Sequence, residues 1–412
     1  MKKLLFAITV LALLPLPFLS AWDWGLSLDQ TAAMENVDRE VDNAADSFTY
    51  SGTLIPWYST PLGSAGRLFL SASFSLDYDE KPFFVPQILR TEYVHRMGNG
   101  GEFKVGRMLY DDPLGFIASG LFDGASYSLN TGNKGRLGFG VWYTGLLYKK
   151  NLKITMTGED LASYDDDLDY SNFGSTYFAS RRLVAAIDWD SPQLTEWLRF
   201  KTALIGQFDL NGNDEYLHSQ YLTAKAIMPM GSFIFNLGMG FELAQTTMYN
   251  DDSSMQVKLG LAGEAGASWM LPTSISDRLT LTGRFSNGTV EDSAMAAFSP
   301  ITNIAQGDVL QAKLSGLSMI RLDYTAKLHQ SFSFYVASSY FILSDLGSYT
   351  GKPSEKDGYF LGNEFSGRLV WSPVSDLRIS LGGGVFLPSM GNADNGGDTL
   401  WRVELNAILV FF

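Results

Sequence analysis

Beyond its first twenty-one residues the chain alternates apolar and polar side chains with a period of two, over long segments. A period of two places successive side chains on opposite faces of a β-strand. In 232–245, Phe233, Phe235, Leu237, Met239, Phe241 and Leu243 share one face, and Asn236, Gly238, Gly240 and Glu242 the other. In 314–329, Leu314, Ile320, Leu322, Tyr324 and Leu328 oppose Ser315, Arg321, Asp323, Lys327 and His329. The scheme recurs in 66–79, 136–147, 196–210, 254–270 and 376–388. These runs are longer than the usual globular strand of about five or six residues. Helical periodicity is scarce; Thr31–Ala45 is the one stretch that could be helical, and it lacks a strong apolar stripe.

The connections predicted between strands fall into two classes that alternate. Long polar segments lie near 33–46, 79–85, 110–120, 149–176, 211–214, 246–253, 287–309, 345–360 and 389–398. Tight ones lie at 60–66, 98–101, 131–135, 191–196, 230–231, 271–278, 330 and 372–376. Short turns on one rim and long loops on the other describe an outer-membrane barrel. The prediction is therefore an all-β fold, a transmembrane antiparallel up-and-down β-barrel of about eighteen strands. Sixteen is the alternative if 22–32 is not a strand. Faces are least pure over 101–109, so the register is least determined there.

The chain's two ends agree with export to that membrane. Residues 1–21 combine Lys2 and Lys3, an apolar run from Leu4 to Leu14, the breakers Pro15 and Pro17, and small Ser20 and Ala21. That is the form of a secretory signal peptide, which leaves 22–412 as the barrel. The last segment, 399–412, sets Trp401, Val403, Leu405, Ala407, Leu409 and Phe411 against Arg402, Glu404 and Asn406, and ends in Phe412. A final amphipathic strand ending in Phe resembles the insertion signal of Gram-negative outer-membrane barrels. The resemblance implies periplasmic chaperones and the barrel-assembly machinery as partners, with membrane lipid and a lipopolysaccharide-like surface around the wall.

Composition narrows the chemistry. The 412 residues hold no cysteine, three histidines and 41 glycines, with 46% hydrophobic and 14% aromatic residues and a net charge of −14. Cysteine chemistry is excluded, and so large an acidic excess argues against a nucleic-acid partner. The long segments carry most of the acids, while the strands and short turns carry a slight excess of bases. Alternation turns Arg136, Arg182, Arg199, Lys201, Lys258, Arg284, Arg321, Lys327, Arg368, Arg378 and Arg402 inward, because a cation on the lipid face costs about 2–4 kcal/mol at midplane. Rings of such cations favour anions in pores. Alternatively they form ion pairs with Glu242, Glu264, Asp323, Glu364 and Glu404 on facing strands. Trp22, Trp24, Trp57, Trp189, Trp197, Trp269, Trp371 and Trp401 read as an interfacial girdle, whereas Trp142 falls on the inward face beside Arg136.

No cofactor or metal is implied. Asp165, Asp167 and Asp169 alternate like the start of a calcium loop, but Tyr170 and Thr176 stand where Gly and Glu are needed. No catalytic motif surrounds a histidine; Asp214 and His218 form the one pair that acid–base chemistry could use. Residues 102–129, with Val105-Gly106-Arg107, a loop and then Asp123-Gly124, resemble porin-type and alginate-export-type barrels. That resemblance implies a non-enzymatic channel for small polar or anionic solutes, oligosaccharides included. The competing function is an adhesin or receptor that acts through acidic surface loops.

Overall fold

The computed structural model describes residues 22–36, 46–79, 81–98, 100–212, 215–247, 255–290, 293–344, 358–393 and 398–411. The signal segment, Phe412 and Asp214 lie outside them. Among the described residues the strands are β1 (Asp23–Glu35), β2 (Ser47–Leu62), β3 (Gly66–Asp79), β4 (Lys81–Arg96), β5 (Gly101–Asp111), β6 (Ser119–Asn130), β7 (Arg136–Tyr143), β8 (Arg182–Thr195) and β9 (Leu198–Asp209). They continue as β10 (Leu217–Met230), β11 (Phe233–Thr246), β12 (Gln256–Met270), β13 (Arg278–Ser286), β14 (Leu317–His329), β15 (Phe332–Leu343), β16 (Phe360–Val374), β17 (Leu377–Leu387) and β18 (Leu400–Phe411). Each pairs antiparallel with its sequence neighbours, and β1 pairs with both β2 and β18, so the sheet of eighteen strands closes on itself. A closed barrel leaves no edge to be satisfied by lipid.

The period-two pattern supplies the two faces. Leu237, Met239, Phe241 and Leu243 of β11, Leu204 of β9, Leu222 of β10 and Leu405 of β18 are exposed apolar side chains on one side of the wall. So continuous an apolar exterior belongs in a bilayer and not in water. On the other side Ala203 and Ile205 of β9, Tyr221 of β10 and Ala244 of β11 are buried. What buries them is loop chain folded into the barrel.

Three long connections do this: 112–118 between β5 and β6, 144–181 between β7 and β8, and 287–316 between β13 and β14. Leu114, Phe116 and Ile117 of the first, Leu147, Leu152 and Ile154 of the second, and Phe298 and Ile301 of the third share one apolar cluster with the inner wall. Val309 and Ala312 join a second cluster with Met319, Phe341 and Phe386. Glycine on the inner face makes room for them. A Cβ on Gly240 would stand 3.1 Å from side-chain carbons of both Leu114 and Ile117.

The strand count is decided and two expectations are corrected. Strand β1 exists, which settles eighteen over sixteen, and its extension through Thr31–Glu35 removes the start of the helix considered over Thr31–Ala45. Residues 81–85 are not loop, because β4 begins at Lys81 and pairs with β3 directly from the tip. Among the acids of the long segments, Asp112 and Asp160 are buried and hold loop structure described next.

Candidate solute pathway

The inward loops are held by carboxylates. Asp112 accepts hydrogen bonds from the amides of Leu114, Gly115, Ile117 and Ala118 at 2.8–3.2 Å, which fixes the tight loop 112–118. Burial pushes its carboxyl up, against the pull of those four amides. Glu364 of β16 accepts from the amides of Asp308, Val309 and Leu310 at 2.8–2.9 Å. Glu242 of β11 accepts from Ser299 N at 2.8 Å, and the Tyr221 hydroxyl donates to Ser299 O at 2.5 Å. The three loops also bind one another: Thr302 N donates to Ile117 O at 3.1 Å, and Asn303 N to Lys153 O at 3.0 Å. They form one unit inside the wall.

The cations expected to line the lumen divide by depth. Arg182 has no exposed side-chain surface and is paired with Asp160 and Asp209. It ties the helix Gly158–Asp165 of the 144–181 loop to β8 and β9. Trp142 is 3% exposed and packs on Tyr110 with ring centroids 4.3 Å apart. Neither faces open space; both lie beneath the loops, which alternation along a strand does not reveal. Arg284 pairs with Glu264, donates to Gln306 Oε1 at 2.7 Å and stacks over the Phe116 ring at 4.8 Å. Arg321 pairs with Asp308 of the loop at 2.9 Å. Burial acts to raise the Asp308 carboxyl, but the Ser366 hydroxyl and the Arg321 guanidinium outweigh it and hold it below its usual range. Lys258 donates to Ser293 O at 3.0 Å. Arg182, Trp142, Arg284, Arg321 and Lys258 are thus taken up beneath or against the inward loops.

The others remain accessible. Arg402 pairs with Glu35 and Glu404 at 2.9 and 2.7 Å, and Arg368, 49% exposed, reaches Glu404 at 3.6 Å. Arg199 and Lys201 share Asp190 at 2.6 and 3.7 Å. Arg136, Lys327 and Arg378 are exposed and have no carboxylate within 4 Å among the described residues. All three lie close to the short-turn ends of β7, β14 and β17. Of the proposed partner acids, Glu264 and Glu404 do pair with bases, while Glu242 and Glu364 are loop anchors instead.

Sequence reading missed four cations. Arg67, Arg90, Arg96 and Lys104 line a hollow of about 590 Å³ at the short-turn rim, together with Glu92, Glu102 and Phe69. Arg90 pairs with Glu92 and lies over the Phe69 ring at 4.9 Å, and Phe69 stacks beside Trp57 at 6.1 Å. Trp57 is thus on the inner face over Gly25 and leaves the girdle. Arg67 was not among the cations read as inward, and a register shift between β3 and β4 at Leu70/Ala72 breaks the alternation that would place Arg90. Among the described residues no group of three or more acids and histidines could hold a metal. His218 accepts the Asp209 amide at 3.0 Å through Nδ1.

Solved structures share this architecture. Pseudomonas aeruginosa OccK2 (OpdF), solved in complex with glucuronate, is 14% identical over 96% of this chain and 99% of its own, with a TM-score of 0.60. The barrel shares its fold with a solved porin. A BenF-like porin from Pseudomonas fluorescens Pf-5 is 11% identical over 96% of this chain and 99% of that one, with a TM-score of 0.60. Acinetobacter baumannii OccAB2 is 8% identical over 96% and 98%, with a TM-score of 0.61. No protein-family model matches the chain, and no curated protein matches it.

Proposed function

We propose that this porin fold works as a passive outer-membrane channel for small polar solutes, with a preference for anions and for oligosaccharides that carry negative charge. The carrying observation is the set of exposed cations left on the inner wall after the loops have docked: Arg136, Lys327, Arg368 and Arg378, joined by Arg67 and Arg90. A wide barrel is not filled by its own wall side chains, and here inward loops narrow it. The solved structures of the same fold support the reading, since one is a BenF-like porin and another was solved in complex with glucuronate. No enzymatic step is assigned to the chain. Insertion through the C-terminal strand by chaperones and the assembly machinery belongs to the same proposal.

Single-channel recording of the refolded protein in planar bilayers tests it. Discrete conductance with an anion-selective reversal potential in a KCl gradient is expected. Folded, heat-modifiable protein without conductance would overturn the channel in favour of a surface receptor acting through its loops.

A further inference from the structure

Strands β4 and β5 part half-way along the wall. Their ladder runs from Arg96↔Glu102 to Thr91↔Arg107 and stops. Beyond it β5 continues to Asp111 against β6 alone, and β4 continues to Lys81 against β3 alone. Among the described residues no main-chain hydrogen bond reaches Lys81–Arg90 from the open side. Side chains take that place. The Tyr170 hydroxyl donates to Phe84 O, the Tyr177 hydroxyl to Pro86 O at 2.7 Å, and Arg107 Nη1 to Ile88 O at 2.5 Å. These are the alternate carbonyls that a partner strand would have used. Pro82 and Pro86 share their phase, so two of the amides on that edge do not exist. Proline of this kind belongs to a strand edge and not to a strand interior. A similar gap beside β12 is filled differently: Leu259 exchanges main-chain bonds with Ala294 and Ala296 at 2.7 and 3.0 Å.

The fork itself is built. Gly106 has φ +118°, and a Cβ there would collide with the Thr91 carbonyl. Arg107 and Asp123 stand in the outward phase, between exposed Val105 and Leu109. A lone cation there would be costly, and Arg107 bonds both Asp123 oxygens at 2.8 and 2.7 Å and Leu146 O at 2.9 Å. The filling belongs to the 144–181 loop, where Tyr148 and Tyr177 pack with Val85 in an apolar cluster separate from the two that hold the other loops. Tyr110 and Trp142 carry the aromatic surface onward beneath the same loop.

We infer that this seam is a lateral port from the lumen into the outer leaflet, for apolar or amphipathic solutes that carry a ring or an alkyl chain, and that the 144–181 loop closes it. The loop's share of the closure, two tyrosine hydroxyls, the Asn151–Gln87 bond, the Leu146 carbonyl on Arg107 and ring packing, can be broken and remade while every strand ladder stays intact. Polar solutes have the cation-lined axial route, whereas the seam offers aromatic surface that opens toward lipid.

The chain lacks cysteine, and the Asn151 side chain donates to that of Gln87 across the seam. A Gln87→Cys/Asn151→Cys pair in the full-length protein can therefore be bridged with a bis-thiosulfonate and released with reductant. The probe is N-phenylnaphthylamine, which fluoresces on reaching acyl chains and is held back by an intact lipopolysaccharide leaflet. Cells carrying the barrel should take it up several-fold faster than cells without it; bridging should abolish the difference and reductant restore it. Axial conductance of the bridged protein should be unchanged. As a second arm, Tyr170→Phe/Tyr177→Phe keeps the rings and removes both donors, and should speed entry by about fivefold for each bond lost. Entry indifferent to bridging, or unchanged in the Phe variant while the protein still migrates as folded, would overturn the port. Loss of conductance with gated entry retained would instead overturn the axial channel alone.

Discussion

Arg182 and Arg378 come from the same alternation rule and end in opposite environments. Arg378 is exposed at a rim. Arg182 is sealed between Asp160 and Asp209 under the 144–181 loop. Deleting one member of a buried ion group leaves the rest uncompensated, at a cost of about 3–5 kcal/mol. Arg182→Met is therefore expected to lower the unfolding midpoint in detergent markedly, while Arg378→Ala leaves it unchanged; thermal melts followed by heat-modifiable migration check both. Gly106→Ala should destabilise for a different reason, since a left-handed φ is forced on a side chain with no room beside Thr91. Alternation specifies which face a residue takes, not what covers that face. Trp142 and Arg182 share the inward phase and lie buried beneath loops for this one reason.

At the scale of elements, strands were legible and inward loops were not. The bounds read for β3, β11 and β17 fall within a residue or so of those found, because lipid on one face imposes an unbroken apolar series. The segment 79–85 was misread, because Pro82 and Pro86 are turn residues in most settings and here mark the unpaired edge of β4. The path of 287–316 depends on Glu364 and Glu242, more than fifty residues away in sequence from the amides they hold, and no local pattern announces that pairing. A charged hydrogen bond of this kind is worth about 1.5–3 kcal/mol. Glu364→Ala removes the acceptor of three amides and should free this part of the loop without touching the wall. The expected result is a noisier and larger single-channel conductance with unchanged heat-modifiability. Conductance identical to the parent would show that this loop does not bound the pathway.

At the scale of the whole molecule, net charge −14 conceals a barrel whose accessible inner surface is basic at one rim. Arg136, Lys327 and Arg378 sit on β7, β14 and β17, well apart around the circumference, with no carboxylate within 4 Å among the described residues. Cations so placed do not form a single binding site. They act through the field they set up across an aqueous mouth, and that field decays over about 10 Å in 0.1 M salt and about 3 Å in 1 M. Anion preference from such a ring should therefore be clear in dilute KCl and largely lost in 1 M KCl. Neutralising all three in Arg136→Gln/Lys327→Gln/Arg378→Gln should abolish the dilute-salt preference and leave the conductance in concentrated salt nearly unchanged, since the channel's dimensions are set by loops that none of the three touches. Arg368, tied to Glu404 at 3.6 Å, should contribute less, because its field is largely cancelled by its neighbour. Reversal potentials at the two salt concentrations decide it. A preference that persists in 1 M KCl would point instead to direct coordination of the anion at a constriction, and would transfer the selectivity from this rim to the loop-lined interior.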